Sequence, residues 1–352
     1  MRTEIESLGK FGLISHLTDH IKTFNPSTIK GIGDDAAVLE YKEKEILVVT
    51  DLLLEGIHFD LTYVALKLLG YKAVTRSFSD IYAMNGLPKQ LAVSIGVSKR
   101  FSVEDMEEFF MGIEYACERY GVDITRGDAT SSLTGLTVSI TCIGEVDKEK
   151  ITYRNGAKNT DLICVSGDLG SAYMGLQLLE REKAIHEGEK EFTPDFAGKE
   201  YLLERQLRPE ARKDIIEILQ KNNILPTSMI DVSDGLASEL LHICKQSNVG
   251  CVVYEDRIPI DYQTAMMAEQ FNMNLTTVAL NGGEDYELLF TLPLDMHDKI
   301  SNLEGIQIIG HIVDSEEGAN LITRDKTLIP LTAQGWTQIS DEEESKDIEE
   351  KI

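Results

Sequence analysis

Aspartates set at the ends of apolar runs limit the fold of this chain more than any other feature. The pattern recurs in Gly33-Asp34-Asp35-Ala36-Ala37, Thr50-Asp51, Ser79-Asp80, Arg126-Gly127-Asp128 and Asp231-Val232-Ser233-Asp234-Gly235. A carboxylate that closes a strand or opens a helix is held by the backbone and does not swing freely into water. Several on one surface repel one another unless cations sit between them. Hard divalent ions take oxygen ligands, and magnesium in particular accepts one or two carboxylates together with substrate phosphates. No His or Cys ligands stand beside the set, so it points to magnesium and a phosphorylated ligand. Singly, each residue has an ordinary reading: Asp80 and Asp234 as helix caps, Asp34-Asp35 and Asp128 as turn residues. Coincidence explains all of them together poorly.

The apolar pattern supplies the elements between them. Phe11, Ile14, Leu17 and Ile21 recur at helical spacing, and Ile46–Thr50 reads as a strand. Thr62–Met84 is helical in period, Leu91–Val97 is a strand, and Val103–Tyr120 is an amphipathic helix carrying Met106, Phe109, Ile113 and Cys117 on one face. After a short extended piece at Val122–Ile124, Leu136, Val138, Ile140 and Cys142 alternate with Thr137, Ser139 and Thr141, as in a half-buried strand. Strands at Asp161–Ser166, Met229–Ile230, Cys251–Tyr254, Glu287–Leu292 and Ile306–Val313 build a second sheet. Helices are expected at Ser171–Arg181, Pro209–Lys221 and Asp234–Gln246, and Glu182–Lys199, broken by Pro194, reads as a mobile insertion. Without regular β–α alternation the class is α+β, in two mixed-sheet domains. The polar stretch Asp147–Thr152 divides 1–148 from 149–338, and 339–352 is an acidic, solvated tail.

Charge and motifs then exclude whole classes. With 60 Asp and Glu against 34 Lys and Arg, the net charge is −26, and no basic cluster is available for nucleic acid or an anionic membrane. Five scattered cysteines, most of them apolar-flanked, read as reduced thiols. Met1–Lys10 lacks the apolar core of a signal peptide, and no apolar run approaches a membrane span, so a cytoplasmic protein is expected. Walker A, protein-kinase, zinc and nucleophile-elbow signatures are missing. Gly31-Ile32-Gly33 lacks the third glycine of a dinucleotide loop. Ser166-Gly167-Asp168-Leu169-Gly170 opens a helix and reads first as a close-packing motif, with phosphate binding at the helix start as the lesser alternative.

Taken in order, G-I-G-D-D-A-A (31–37), T-D-L-L-L-E-G-I-H-F (50–59), S-D-I-Y-A-M-N-G (79–86), R-G-D-A-T (126–130), D-V-S-D-G-L (231–236) and N-G-G-E-D-Y-E-L-L-F (281–290) resemble the thiamine-monophosphate kinase family. That family lies within the superfamily of aminoimidazole ribonucleotide synthetase. The resemblance implies ATP and thiamine monophosphate as substrates, several magnesium ions per site, direct phosphoryl transfer, and a homodimer that pairs N-terminal sheets. It places Asp34, Thr50, Asp51, Asp80, Asp128, Asp231 and Asp234 on metal positions, with Asp51, Asp128 and Asp234 central to catalysis. Gly127, Asp128, Arg154 and Ser233 fall on nucleotide positions, and His58, Glu284 and Trp336 on acceptor positions. Two departures stand out: Val49 where Ser or Thr is frequent, and Arg126-Gly127-Asp128-Ala129 where Gly-Gly-Asp-Thr is usual. On the residues alone, His58 also reads as a packed structural histidine, Arg154 and Glu284 as turn residues, and Trp336 as core. A related ATP-dependent enzyme and a non-catalytic cation-binding protein are the competing readings.

Overall fold

The computed structural model describes residues 16–17, 20–30, 38–186, 194 and 196–333. Two short strands, β1 (Thr28–Lys30) and β2 (Val38–Leu39), form a small antiparallel ladder ahead of the first sheet. That sheet has four strands: β3 (Glu45–Leu54), β4 (Leu87–Val97), β5 (Asp123–Ser131) and β6 (Leu136–Val146). Their order is β3-β6-β4-β5, antiparallel except for the β4–β5 pair, so the sheet is mixed as the sequence implied.

One face of this sheet is covered by α1 (Leu66–Ala83) and α2 (Val103–Tyr120). Side chains alternate along β6: Leu136, Val138, Ile140 and Cys142 are buried, and the intervening residues are half-exposed. On the opposite, open face, Val48 is 66% exposed and Leu52 54%. The two helices touch backbone to backbone, because Gly70 and Gly112 sit at their crossing. A Cβ on Gly70 would overlap the Phe109 carbonyl, and one on Gly112 the Lys67 carbonyl. A reciprocal capping box between Ser102 and Asp105 starts α2, and Gly121 at φ 73° ends it.

The second sheet holds β7 (Leu162–Ser166), β8 (Ser228–Val232), β9 (Val249–Tyr254), β10 (Glu287–Leu292), β11 (Ile306–Asp314), β12 (Ala319–Ile322) and β13 (Leu328–Pro330). Their order is β13-β12-β9-β11-β7-β10-β8. Around it lie α3 (Ser171–Ile185), α4 (Glu200–Leu207), α5 (Lys213–Lys221), α6 (Leu236–Ser247), α7 (Tyr262–Gln270), α8 (Leu275–Asn281) and the single turn α9 (His297–Ile300). Helix α1 packs on β3 and β6 and also reaches β8 of the second sheet. A buried core runs continuously from Phe78 and Ile140 to Met229 and Phe290.

Several expectations change. Pro209 lies ahead of α5, which starts only at Lys213. The stretch read as an insertion contains the end of α3; its residues 187–193 and 195 lie outside the described set, and α4 follows directly. Strand β5 runs well past Ile124, because pairing with β4 carries the polar segment Arg126–Ser131. Helices α7 and α8 lack a strong apolar stripe in sequence and went unread. The helix expected from Phe11 to Ile21 falls largely outside the described residues. Among those residues no helix is long and apolar enough to cross a membrane, and all five cysteines are buried free thiols.

Candidate functional site

The aspartates do not all sit where caps and turns would put them. Asp51 is inside β3, with its side chain on the helix-covered face and 12% exposed. Asp80 lies within α1 near its C-terminal end, and Asp128 lies within β5, so neither the helix-cap nor the turn reading holds for them. Asp231 is buried in β8. Asp234 is exposed just before α6, and its side chain does not cap that helix.

Three of these carboxylates converge where α1 passes between the sheets. Arg76 Nε donates to Asp51 Oδ1 at 3.1 Å, and Ser77 Oγ donates to the other carboxylate oxygen. Ser79 Oγ donates to Asp231 Oδ2 at 2.8 Å, linking α1 to β8. Burial pushes the Asp80 carboxyl well above its usual range, and the neighbouring Asp231 and Asp51 carboxylates push it further. Asp231 is also raised, chiefly by burial, against the Ser79 hydrogen bond and Arg154. Beside them Glu239 accepts from Asp234 N at 3.0 Å, and burial, then Asp231 and Asp234, raise it to about 7. The Arg154 guanidinium favours the ionised forms of Asp80, Asp231 and Glu239 alike, so it belongs to this group.

Asp128 stands apart. Asp51, Ile140, Val93 and Gly127 form one row across the four strands. Three strand spacings separate the row's ends by about 14 Å. Asp128 belongs to the alternate row of Ser94, Ser139 and Leu52, on the open face, and its Oδ1 accepts from Ala129 N at 3.0 Å. Thr50 is likewise exposed, on the opposite side of β3 from Asp51. Asp34 and Trp336 lie outside the described residues.

The group has the donors a hard cation requires. Its three carboxylates offer only oxygen, and Asp80 is raised by burial and then by the charges of its two neighbours, a repulsion that a divalent ion relieves. Among the described residues no three His, Cys, Asp or Glu side chains form a ready-made metal cage. Magnesium, which completes its shell with waters and substrate phosphates, does not need one.

Next to this group opens a cleft of about 570 Å³, between the β3–α1 loop, α1, α3, α4 and the Gly283–Glu284 turn. His58 and Glu284 both line it. Leu54 N donates to His58 Nδ1 at 3.0 Å, which leaves the ring proton on Nε2. Glu284 sits at φ 65°, and its N–H donates to the Ser233 carbonyl at 2.8 Å, so the 281–290 motif is docked on the 231–236 motif. A Cβ on Gly283 would stand 2.6 Å from the Ser233 oxygen, which explains the glycine before Glu284. Glu284 Oε2 accepts from Lys72 Nζ and from Gln206 Nε2, each at 2.9 Å. Burial opposes its ionisation, yet Lys72, Gln206 and Arg76 together hold its carboxyl below the usual range.

Lys72, Arg76, Gln206 and Glu239 escaped the sequence reading. For the first two a signal existed: Lys72, Arg76 and Asp80 are spaced four apart in a helix whose other residues, Lys67 apart, are apolar, aromatic or small. The start of α3 is already satisfied from within, because Asp285 accepts from Gly170 N at 2.8 Å and Ala172 N at 3.3 Å. Gly167 packs against the buried Glu287. The Ser166–Gly170 motif is therefore a packing element.

Residues 33–146 match the family model described as AIR synthase related protein, N-terminal domain. The thiamine-monophosphate kinase of Aquifex aeolicus (strain VF5) is 33% identical over 332 residues, which cover 94% of this chain and 98% of the relative. The chain belongs to the thiamine-monophosphate kinase family. Two solved structures agree. The thiamine-monophosphate kinase from Stenotrophomonas maltophilia K279a superposes with a TM-score of 0.74 at 30% identity, covering 84% of this chain and 92% of that one. AaThiL complexed with AMPPCP and TMP gives 0.72 at 32% identity, covering 96% and 98%. Membership in the thiamine-monophosphate kinase family accounts for the two mixed sheets.

Proposed function

We propose that this protein transfers the γ-phosphoryl group of ATP to the phosphate of thiamine monophosphate, giving thiamine diphosphate and ADP. The observation that carries the reading is the single face of α1 on which Lys72, Arg76 and Asp80 succeed one another. It joins the cleft containing Glu284 and His58 to the carboxylates of Asp51 and Asp231.

Transfer breaks the bond between the γ-phosphorus and its bridging oxygen and forms one to an acceptor phosphate oxygen. That oxygen is already anionic, so no general base is obligatory, and positioning and charge neutralisation do the work. Asp51, Asp80 and Asp231 would hold magnesium, with Asp34, Thr50, Asp128 and Asp234 assigned to the same role by family resemblance. Magnesium bound there supplies charge neutralisation between two phosphate groups that otherwise repel. Ser79 keeps Asp231 in place, and Arg76 keeps Asp51 in place. Arg154, with Gly127, Asp128 and Ser233, is assigned to the nucleotide, the guanidinium suiting a polyphosphate. His58, Glu284 and Trp336 are assigned to the acceptor.

The open face of the first sheet, with Val48 and Leu52 exposed, supports a homodimer built on that face. On this reading residues 1–148 carry the metal and pairing functions, 149–338 complete the ATP and acceptor sites, and 339–352 form a tail. Incubation with ATP and magnesium tests the function: ADP should form only when thiamine monophosphate is added. Equal ADP release without the acceptor would refute it.

A further inference from the structure

Arg76 is the middle residue of the charged face of α1, four after Lys72 and four before Asp80. Four residues advance a helix by about 6 Å. The guanidinium therefore stands between the cleft, where Lys72 meets Glu284, and the carboxylates of Asp51, Asp80 and Asp231. Groups on both sides act on it: burial opposes its charge, and Tyr286, Asp51, Glu284 and Asp80 favour it. A guanidinium carries five N–H donors in one plane. Nε uses its single proton on Asp51 Oδ1, at 3.1 Å. Nη1 and Nη2 have no hydrogen-bond partner among the described residues. Both remain open to a ligand, because the side chain keeps 24% exposure and neither nitrogen is sealed from solvent. The Asp51 contact fixes the plane of the guanidinium. Its outer edge, one N–H from each terminal nitrogen, matches two oxygens of a phosphate.

We propose that Arg76 is a catalytic residue whose Nη1 and Nη2 bind the acceptor's phosphate and hold it at the boundary between cleft and carboxylates. The inference rests on the cleft being the acceptor pocket. A ring system seated against Glu284 reaches the carboxylate group only past Arg76, so the guanidinium meets the phosphate that must be attacked from. Arg76 forms no covalent bond and gives up no proton. It lowers the repulsion between acceptor and γ-phosphate, and it fixes the attacking oxygen in line.

The test compares the dissociation constants of thiamine and thiamine monophosphate, measured by calorimetry with magnesium and a non-hydrolysable ATP analogue present. The two ligands differ only in the phosphate, and their ratio within one protein does not depend on the folded fraction. In Arg76→Met the preference for the phosphorylated ligand should fall about tenfold or more from wild type. Arg76→Lys keeps the charge without the fork and should lose part of that preference. The KM for ATP should stay within about twofold of wild type in both variants. An Asp51→Asn background separates direct contact from support of Asp51: adding Arg76→Met there should still lower the preference about tenfold. No further fall on that background shows that Arg76 only orients Asp51, and overturns the proposal. A raised KM for ATP with an unchanged preference moves the contact to the nucleotide, and likewise overturns it. Either result leaves the acceptor reading intact. A wild type that binds neither ligand overturns that reading, and this inference with it.

Discussion

Replacing Lys72 by Met tests whether the cleft wall is held as described. The Lys72 side chain is 9% exposed, and its ammonium bonds Glu284 at 2.9 Å and the Gln206 carbonyl at 2.8 Å. Breaking a fully buried pair by removing one partner costs about 3–5 kcal/mol. Glu284 keeps 29% exposure and a second bond from Gln206, so a loss of about 2–3 kcal/mol is expected near neutral pH. The pH dependence gives the sharper signature. In the wild type Glu284 is held below its ordinary value, so its contribution is present above the unfolded pKa and fades as pH falls through the folded one. Without Lys72, burial dominates and the carboxyl rises above its ordinary value, which reverses the sign: stability is then lost as pH rises. The gap between the two proteins should therefore be small near about pH 3, below the ordinary carboxylate range, and full near about pH 8. Urea unfolding at the two pH values measures it. Adding Glu284→Gln to Lys72→Met should restore most of the loss, since a neutral amide needs no counter-ion. A gap that is constant with pH, or absent, would show that Lys72 does not hold the Glu284 carboxylate ionised.

Other consequences are more direct. Asp51→Asn and Asp128→Asn should each cut turnover roughly a hundredfold or more. Normal turnover of both at limiting magnesium would contradict the metal assignment. Glu284→Ala should raise the KM for thiamine monophosphate about tenfold and spare ATP, and Arg154→Ala should show the reverse bias; steady-state kinetics decides. Val48→Glu should convert the proposed homodimer to monomer at micromolar concentration, and a sedimentation coefficient unchanged from wild type would exclude the open sheet face as the contact.

How far the sequence anticipated this fold varies with the kind of signal. Strand β6 was legible because one face is buried and the other is not, so Leu136 to Cys142 alternate cleanly. Helices α1 and α2 were legible from their apolar period, although α1 is buried on nearly every side. The latter half of β5 was not, since Arg126-Gly127-Asp128 has turn-like chemistry and is extended only because β4 pairs with it. Helix α4 hid because its eight residues bury only Leu202 and Gln206. At the candidate site, Asp51, Asp80 and Asp231 stood out as carboxylates in apolar segments, and the structure brings them together. Gln206 carried no local signal, because its meaning depends on Lys72 and Glu284, which are remote in sequence and meet it only in the fold.

Direct transfer of a phosphoryl group onto an existing phosphate is read from the fate of a label. With ATP labelled in the γ-phosphate, magnesium and thiamine monophosphate, the label should appear in the terminal phosphate of thiamine diphosphate, with ADP formed mole for mole. Label released as inorganic phosphate, or AMP in place of ADP, would rule out direct transfer.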